Sequence, residues 1–179
     1  YESYHRKEDK IEFDLEYFNK ITKGGLPNKT LNIALAGTGV GKSLFMCHVA
    51  SSALLQNKNV LYITLEMAEE KIAERIDANL LNIPIQDITD LPKPMFESKV
   101  TNLSQKTQGT LIIKEYPTAS AHSGHFRALL NELALKKSFR PDIIFIDYLN
   151  ICASSRYRAN SNVNSYSYIK AIAEELRGL

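Results

Sequence analysis

The chain has 179 residues, 44% of them hydrophobic, which suits one globular domain with a buried core. Its formal net charge of +2 neither requires nor excludes a nucleic-acid partner, so any such surface would depend on local charge. The two cysteines lie in apolar runs, which excludes a disulfide scaffold. No stretch approaches the roughly 20 apolar residues of a membrane span, which excludes a transmembrane segment in this sequence.

The beginning of the chain carries neither an initiator Met nor a signal peptide. We therefore expect a cytoplasmic segment of a longer protein. Residues 1–12 are polar and charged, and we interpret them as a linker or arm that precedes a domain of residues 13–179.

Along this domain, apolar runs of strand length alternate with segments of helical periodicity. The predicted strands cover residues 31–36, 60–65, 110–114 and 142–147. The predicted helices cover residues 13–23, 43–56, 68–82, 95–105, 123–137 and 164–177. The alternation predicts an α/β domain in which helices flank a mostly parallel sheet.

A glycine-rich loop follows the first predicted strand and opens the next helix. It fits the pattern G-x-x-x-x-G-K-[ST], except that Ala36 stands at the first glycine. Its glycines leave backbone N–H groups free to wrap a phosphate, and the helix directs its positive dipole end at the anion. Lys42 is expected to reach the phosphates of ATP or another NTP, and Ser43 to bind Mg²⁺. The expected nucleotide contacts are Gly37, Thr38, Gly39, Val40, Gly41, Lys42, Ser43 and Leu44.

Two carboxylates stand at the ends of other predicted strands, where open α/β sheets bind their ligands. Asp147 follows four apolar residues, the pattern of a Walker B aspartate that holds Mg²⁺, although an aspartate there also suits the cap of a turn. Glu66 follows Leu65 and either polarises a water in line with the γ-phosphate or begins the helix at residue 68. Spacing alone leaves both interpretations of Glu66 open.

Three segments resemble a single family: GGLPNKTLNIALAGTGVGKS at residues 24–43, VLYITLEM at 60–67 and PDIIFIDYLNI at 141–151. They are similar to the ATPase domain of the DnaB-like hexameric replicative DNA helicases, most of all those of T-even-type bacteriophages. The likeness covers the chain from about residue 11 onward. Its more specific part is the LEM segment, because the phosphate loop occurs in many NTPases.

The resemblance implies a RecA-like P-loop NTPase fold and ATP hydrolysis coupled to 5′→3′ movement on single-stranded DNA. It also implies a homo-hexamer with the nucleotide between neighbours, a primase and a helicase loader as partners, and the cytoplasm of a bacterial host. Carried over by position, Lys42 and Glu66 are catalytic, Glu66 by orienting the attacking water. Ser43 and Asp147 bind Mg²⁺.

In the same family, the loop after the Walker B strand faces the DNA channel. By that resemblance Arg156, Tyr157 and Arg158 contact single-stranded DNA, the arginines at phosphates and the tyrosine by base stacking. The alternative is a solvated loop without a ligand.

The family pattern continues beyond Leu179 with a strand that ends in a polar sensor and with an arginine finger. We therefore expect a core that is partial on its C-terminal side and hydrolyses ATP weakly or not at all by itself. Two other functions stay open at this point. One is a RecA-like ATPase of the recombinase or clock type that remodels DNA or protein without unwinding. The other is a small-molecule kinase, although the arginines are scattered and form no lid segment.

Overall fold

The computed structural model describes residues 9–157 and 162–179. The strands are β1 (Lys10–Ile11), β2 (Leu26–Pro27), β3 (Val60–Thr64), β4 (Leu111–Glu115) and β5 (Ile143–Asp147). The helices are α1 (Glu16–Ile21), α2 (Lys42–Leu55), α3 (Glu69–Leu81), α4 (Ile85–Ile88), α5 (Lys93–Lys106), α6 (Ser123–Lys137) and α7 (Ser165–Arg177), with a 3₁₀ turn at Leu149–Ile151. Every predicted helix overlaps a helix of the structure, and the predicted α/β class is confirmed.

The main sheet consists of three parallel strands in the order β4, β3, β5, with β3 in the middle and buried along its whole length. Thr64 at the end of β3 is in register with Glu115 on one side and with Asp147 on the other. The three strands therefore stop at the same level. Whatever follows them lies at one edge of the sheet, where ligands of such sheets bind.

The two faces of the sheet are covered by different helices. Successive residues of a strand point to opposite faces, and β3 contributes to two separate cores. Val60 and Tyr62 pack with α2 and α3, whereas Leu61 and Ile63 pack with α6 and α7. A strand covered on both faces is apolar at every position, which explains why residues 60–65 are recognisable as a buried strand.

The predicted strand at residues 31–36 is wrong. The structure has no strand there, and the segment is exposed, with Leu35 95% accessible to solvent. Within the described residues, β5 hydrogen-bonds to β3 alone, and no strand pairs with residues 31–36. The segment has the composition of a buried strand, but an apolar run becomes a strand only where a neighbour satisfies its backbone groups.

A small antiparallel pair joins the predicted arm to the domain. β1 pairs with β2, and Ile11 is buried in the same core as α2 and α3. Gly25 has a φ of +116°, and a Cβ at this position would collide with the carbonyl group of Ile11. The packed part of the chain thus includes Ile11, which composition alone places in the arm.

None of the helices in the described ranges is long and apolar enough to cross a membrane.

Candidate nucleotide site

The glycine-rich loop turns directly into α2. Gly39 and Gly41 have left-handed backbone conformations, with φ of +73° and +103°, which glycine adopts without strain. A Cβ built on either glycine would meet no atom within 4 Å, so the loop borders open space. Gly41 is the N-cap of α2 and Lys42 its first residue. Because the first amides of a helix lack partners within it, this arrangement suits an anion.

Asp147 ends β5 and is almost completely buried, at 1% exposure. Its two carboxylate oxygens have different surroundings. Oδ2 accepts a hydrogen bond of 3.0 Å from the hydroxyl of Tyr62. Oδ1 faces the ammonium Nζ of Lys42 at 3.7 Å, which is an ion pair but too long for a hydrogen bond, and it has no hydrogen-bond partner among the described residues. A buried anionic oxygen without a hydrogen bond is costly and suits a cationic ligand.

The Lys42 ammonium lies over a second group as well. It is 3.7 Å from the centre of the Tyr148 ring, in a cation–π contact. The side chain of Lys42 is 23% exposed to solvent. The Asp147 carboxylate and the Tyr148 ring together hold the Lys42 ammonium beside the end of β5.

Ser43 and Leu44 follow Lys42 in the first turn of α2. Ser43 is half-buried, and its hydroxyl makes no hydrogen bond to Oδ1 of Asp147. Leu44 is 49% exposed. The structure therefore brings Lys42 and Asp147 together directly, whereas Ser43 is placed near them only through its position after Lys42.

Glu66 is exposed and lies at the same edge of the sheet. The preceding residue, Leu65, donates its N–H to the carbonyl oxygen of Asp147 at 2.9 Å, which ties the two strand ends together. Thr64 closes the turn: its hydroxyl accepts from the N–H of Met67 and donates to the carbonyl of the same residue. Because α3 starts at Glu69, Glu66 stands before the helix rather than in its first turn.

Tyr62 is a member of this site that sequence patterns did not single out. It is fully buried in the central strand, and its ring stacks on that of Phe145 at a centroid distance of 5.5 Å. Burial, with Cys47 and Asp147 close by, raises the pKa of Tyr62, so the hydroxyl keeps its proton and remains a donor. A tyrosine inside a buried strand needs a hydrogen-bond partner for its hydroxyl. This requirement is the feature of the sequence that could have indicated Tyr62 as a member of the site.

Both cysteines are free and buried. Cys47 lies on α2 with its Sγ 3.9 Å from the Tyr62 hydroxyl, and burial raises its pKa. Burial also raises the pKa of Cys152 to about 12. The two thiols are protonated core side chains, as their apolar sequence neighbours indicate. The described residues contain no cluster of three or more His, Cys, Asp or Glu side chains that would suit a metal ion.

The Glu175 carboxylate of α7 makes several hydrogen bonds to the loop after β5. Glu175 accepts hydrogen bonds from the hydroxyl of Ser154 at 2.6 Å and from both the N–H and the hydroxyl of Ser155, at 2.9 and 2.8 Å. Burial alone would raise the pKa of Glu175, but these hydrogen bonds, with a further one from the backbone of Arg156, outweigh it and lower the pKa to about 2.

The residues predicted to contact DNA lie in and after this loop. The guanidinium of Arg156 pairs with Glu174 at 2.6 Å, and both side chains are about half exposed. Tyr157 is 37% exposed. The third predicted residue, Arg158, lies outside the described residues.

The fold has a solved counterpart in RecA-like ATPase domains. A structure of a DnaB-like replicative helicase and its interactions with primase superposes with a TM-score of 0.73 at 17% identity, covering 99% of this chain and 42% of that one. A second solved structure, of another protein's ATPase domain, superposes with a TM-score of 0.69 at 18% identity, covering 99% of this chain and 63% of that one. The parallel strands flanked by helices, with a glycine loop leading into α2, thus have a RecA-like fold.

Residues 11–179 match the DnaB-like helicase C-terminal domain, and the chain belongs to that family. It is 51% identical to the DnaB-like replicative helicase of Enterobacteria phage T4 over 180 residues, which cover 99% of this chain and 38% of the relative. A probable plasmid replicative DNA helicase of Chlamydia muridarum is 27% identical over 86% of this chain and 33% of its own length. The chain therefore spans little more than a third of these relatives. Membership of a helicase family implies that the domain uses a nucleotide.

Proposed function

We propose that this chain is the ATP-hydrolysing motor core of a replicative DNA helicase that moves 5′→3′ on single-stranded DNA and unwinds the duplex at a replication fork. One observation carries the proposal: at the mouth of the glycine loop, the Lys42 ammonium faces an Asp147 oxygen that is buried and has no hydrogen bond among the described residues. Membership of the DnaB-like family supplies the link from this site to a helicase.

Two features fit ATP with Mg²⁺. The open space around Gly39 and Gly41 leaves room for phosphates against the loop amides, and the buried Oδ1 of Asp147 offers the hard anionic ligand that Mg²⁺ prefers. Asp147 and the Ser43 hydroxyl would hold the ion. When bound, Mg²⁺ offsets the negative charge of the β- and γ-phosphates.

The remaining roles belong to backbone and side-chain groups of the chain itself. Backbone N–H groups from Gly37 to Lys42 hold the phosphates, and the Lys42 ammonium neutralises charge on them. The Glu66 carboxylate, exposed at the same edge, orients the attacking water and accepts its proton. Thr38, Val40 and Leu44 complete the surface around the phosphates.

The partners of the whole protein are also part of the proposal. Arg156 and Tyr157 in the loop after β5, with Arg158 beyond the described range, bind single-stranded DNA by phosphate contacts and base stacking. A solved structure of the same fold is described with its interactions with primase, which supports a primase as a partner of this protein. The homo-hexameric ring and the helicase loader are extended to it from the family resemblance. It works in the cytoplasm of a bacterial host.

The test of the hydrolysis site is Glu66→Gln in the full-length protein. We expect ATP binding to remain while the hydrolysis rate falls at least about 100-fold, since an amide replaces the base that positions the water. Glu70→Gln is the matched control, because Glu70 is also exposed but lies in the first turn of α3. Hydrolysis retained in Glu66→Gln would remove this residue from the catalytic role.

The helicase assignment has its own test. The full-length protein should displace a strand from a forked duplex with a 5′ single-stranded arm, and single-stranded DNA should stimulate its ATPase. If single-stranded DNA does not stimulate the ATPase and the protein does not unwind the forked duplex, the results would instead favour a RecA-like ATPase that remodels DNA or protein without unwinding.

A further inference from the structure

The hydroxyl of Tyr62 is the direct hydrogen-bond donor to the Asp147 carboxylate in the described structure. Tyr62 and Phe145 are register partners on β3 and β5, and their rings are stacked with an interplanar angle of 14°. Tyr62 has no exposed surface. Its hydroxyl is thus fixed by two strands of the sheet and by ring stacking.

We propose that Tyr62 is a positioning residue for the magnesium site: its hydroxyl holds Oδ2 of Asp147 and thereby fixes the rotation of the carboxylate that presents Oδ1 to the cation. This inference rests on the proposed function, because it concerns the same site. Tyr62 lies in the middle of the central strand and outside the glycine loop.

The chemistry of the donor explains why a tyrosine suits this place. A carboxylate rotates easily about its last bond unless one oxygen is anchored. A neutral hydroxyl satisfies Oδ2 without neutralising the negative charge, which stays available on Oδ1. Carboxylates that bind metals are commonly held by such hydrogen bonds from outside the coordination shell, and losing one typically weakens metal binding about 10- to 100-fold.

The substitution Tyr62→Phe removes this hydroxyl and keeps the stacked ring. Without it, Oδ2 of Asp147 joins Oδ1 in lacking a hydrogen bond, and no hydrogen bond fixes the rotation of the carboxylate. Tyr116→Phe is a matched control, because Tyr116 is a partly buried tyrosine on the other face of the sheet, in edge contact with Phe126.

The experiment measures binding of a fluorescent ATP analogue to the full-length protein, first in EDTA and then over a Mg²⁺ titration. For Tyr62→Phe we expect affinity in EDTA close to that of wild type, and a Mg²⁺ concentration for half-maximal enhancement about 10-fold higher. Tyr116→Phe should follow wild type in both conditions. In an Asp147→Asn background, Tyr62→Phe should cause no further change, because the carboxylate it positions is gone.

The outcomes distinguish the role of Tyr62 from the magnesium site of the proposed function. A wild-type protein whose nucleotide binding does not respond to Mg²⁺ would overturn the magnesium site and the role of Tyr62 together. A normal Mg²⁺ response in wild type, matched by Tyr62→Phe, would overturn the role of Tyr62 alone. A Tyr62→Phe protein that does not fold, or that loses binding equally in EDTA and in Mg²⁺, would identify the hydroxyl as a structural group and would also overturn it.

Discussion

Two carboxylates, Asp147 and Glu175, differ in how many of their oxygens accept hydrogen bonds. Both receive hydrogen bonds from hydroxyl groups: Asp147 from Tyr62, and Glu175 from Ser154 and Ser155. Both oxygens of Glu175 have donors. Asp147 is more deeply buried, yet its Oδ1 has a cation 3.7 Å away and no hydrogen bond within the part of the chain that the structure describes.

We interpret Glu175 as a structural carboxylate and propose Asp147 as a carboxylate that binds a ligand. A buried polar atom normally finds a partner, and one without a partner in the folded chain suits a bound ion or water. Glu175 fastens the loop after β5 to α7, and its hydrogen bonds are complete. Asp147 has an oxygen without a hydrogen bond where the glycine loop, α2 and two strand ends meet. Four predictions test this contrast, from the largest expected effect to the smallest.

Asp147→Asn should abolish function without harming the fold. We expect ATP hydrolysis to fall at least about 100-fold, the upper end of the loss seen when only a supporting hydrogen bond of a metal ligand is removed. The melting temperature without nucleotide should change little, because asparagine keeps the size of the side chain and the Lys42 side chain that loses its ion pair is partly exposed to water. ATPase assays and thermal melts measure the two effects. A large drop in melting temperature would make Asp147 a structural residue like Glu175.

Glu175→Ala should give the opposite pattern. The substitution leaves Ser154 and Ser155 without their acceptor, and we expect a loss of about 1 kcal/mol in the free energy of unfolding, at the lower end for such bonds because the site is partly exposed. Nucleotide affinity in Mg²⁺ should be unchanged. Urea denaturation supplies the measurement, and Glu174→Ala on the same helix is the control. Wild-type stability in Glu175→Ala would show that the hydrogen bonds of Glu175 contribute nothing.

The pKa of Glu175 makes a prediction about acid. Hydrogen bonds lower this pKa from an ordinary 4.5 to about 2, so the folded state favours the charged form. The stability from this group is fully present above about pH 4.5 and is lost as the pH falls toward 2. As the pH is lowered through this window, wild type should therefore lose more stability than Glu175→Gln. Parallel denaturation curves over this range would contradict the assignment.

Arg156→Ala should have the smallest effect, on DNA alone. Removal of one phosphate contact is expected to reduce the slope of log affinity against log salt concentration for single-stranded DNA by about 0.7, with a similar loss for every sequence. Lys136→Ala is the control, since Lys136 also belongs to an exposed ion pair, with Glu132 on α6. A slope unchanged from wild type would mean that Arg156 serves only its ion pair with Glu174.

The sequence by itself determined the features that depend on local spacing. Glycines at fixed intervals before Lys42 and Ser43 predict a phosphate loop, because the backbone conformations they permit are a property of the loop itself. A run of apolar residues ending in Asp147 predicts a buried strand with a carboxylate at its end. The alternation of such runs with helical periodicity was enough for the α/β class, which the structure confirms.

Only the tertiary structure decided what depends on neighbours. Residues 31–36 have the composition of a strand but no pairing partner in the described chain, and pairing is not encoded in composition. Tyr62 and Asp147 are 85 residues apart, and their contact exists because β3 and β5 lie side by side in parallel register. Glu175 meets Ser154 and Ser155 because α7 folds back over the loop after β5. Spacing sets the backbone of a segment, whereas the order of strands and helices in space sets which side chains meet.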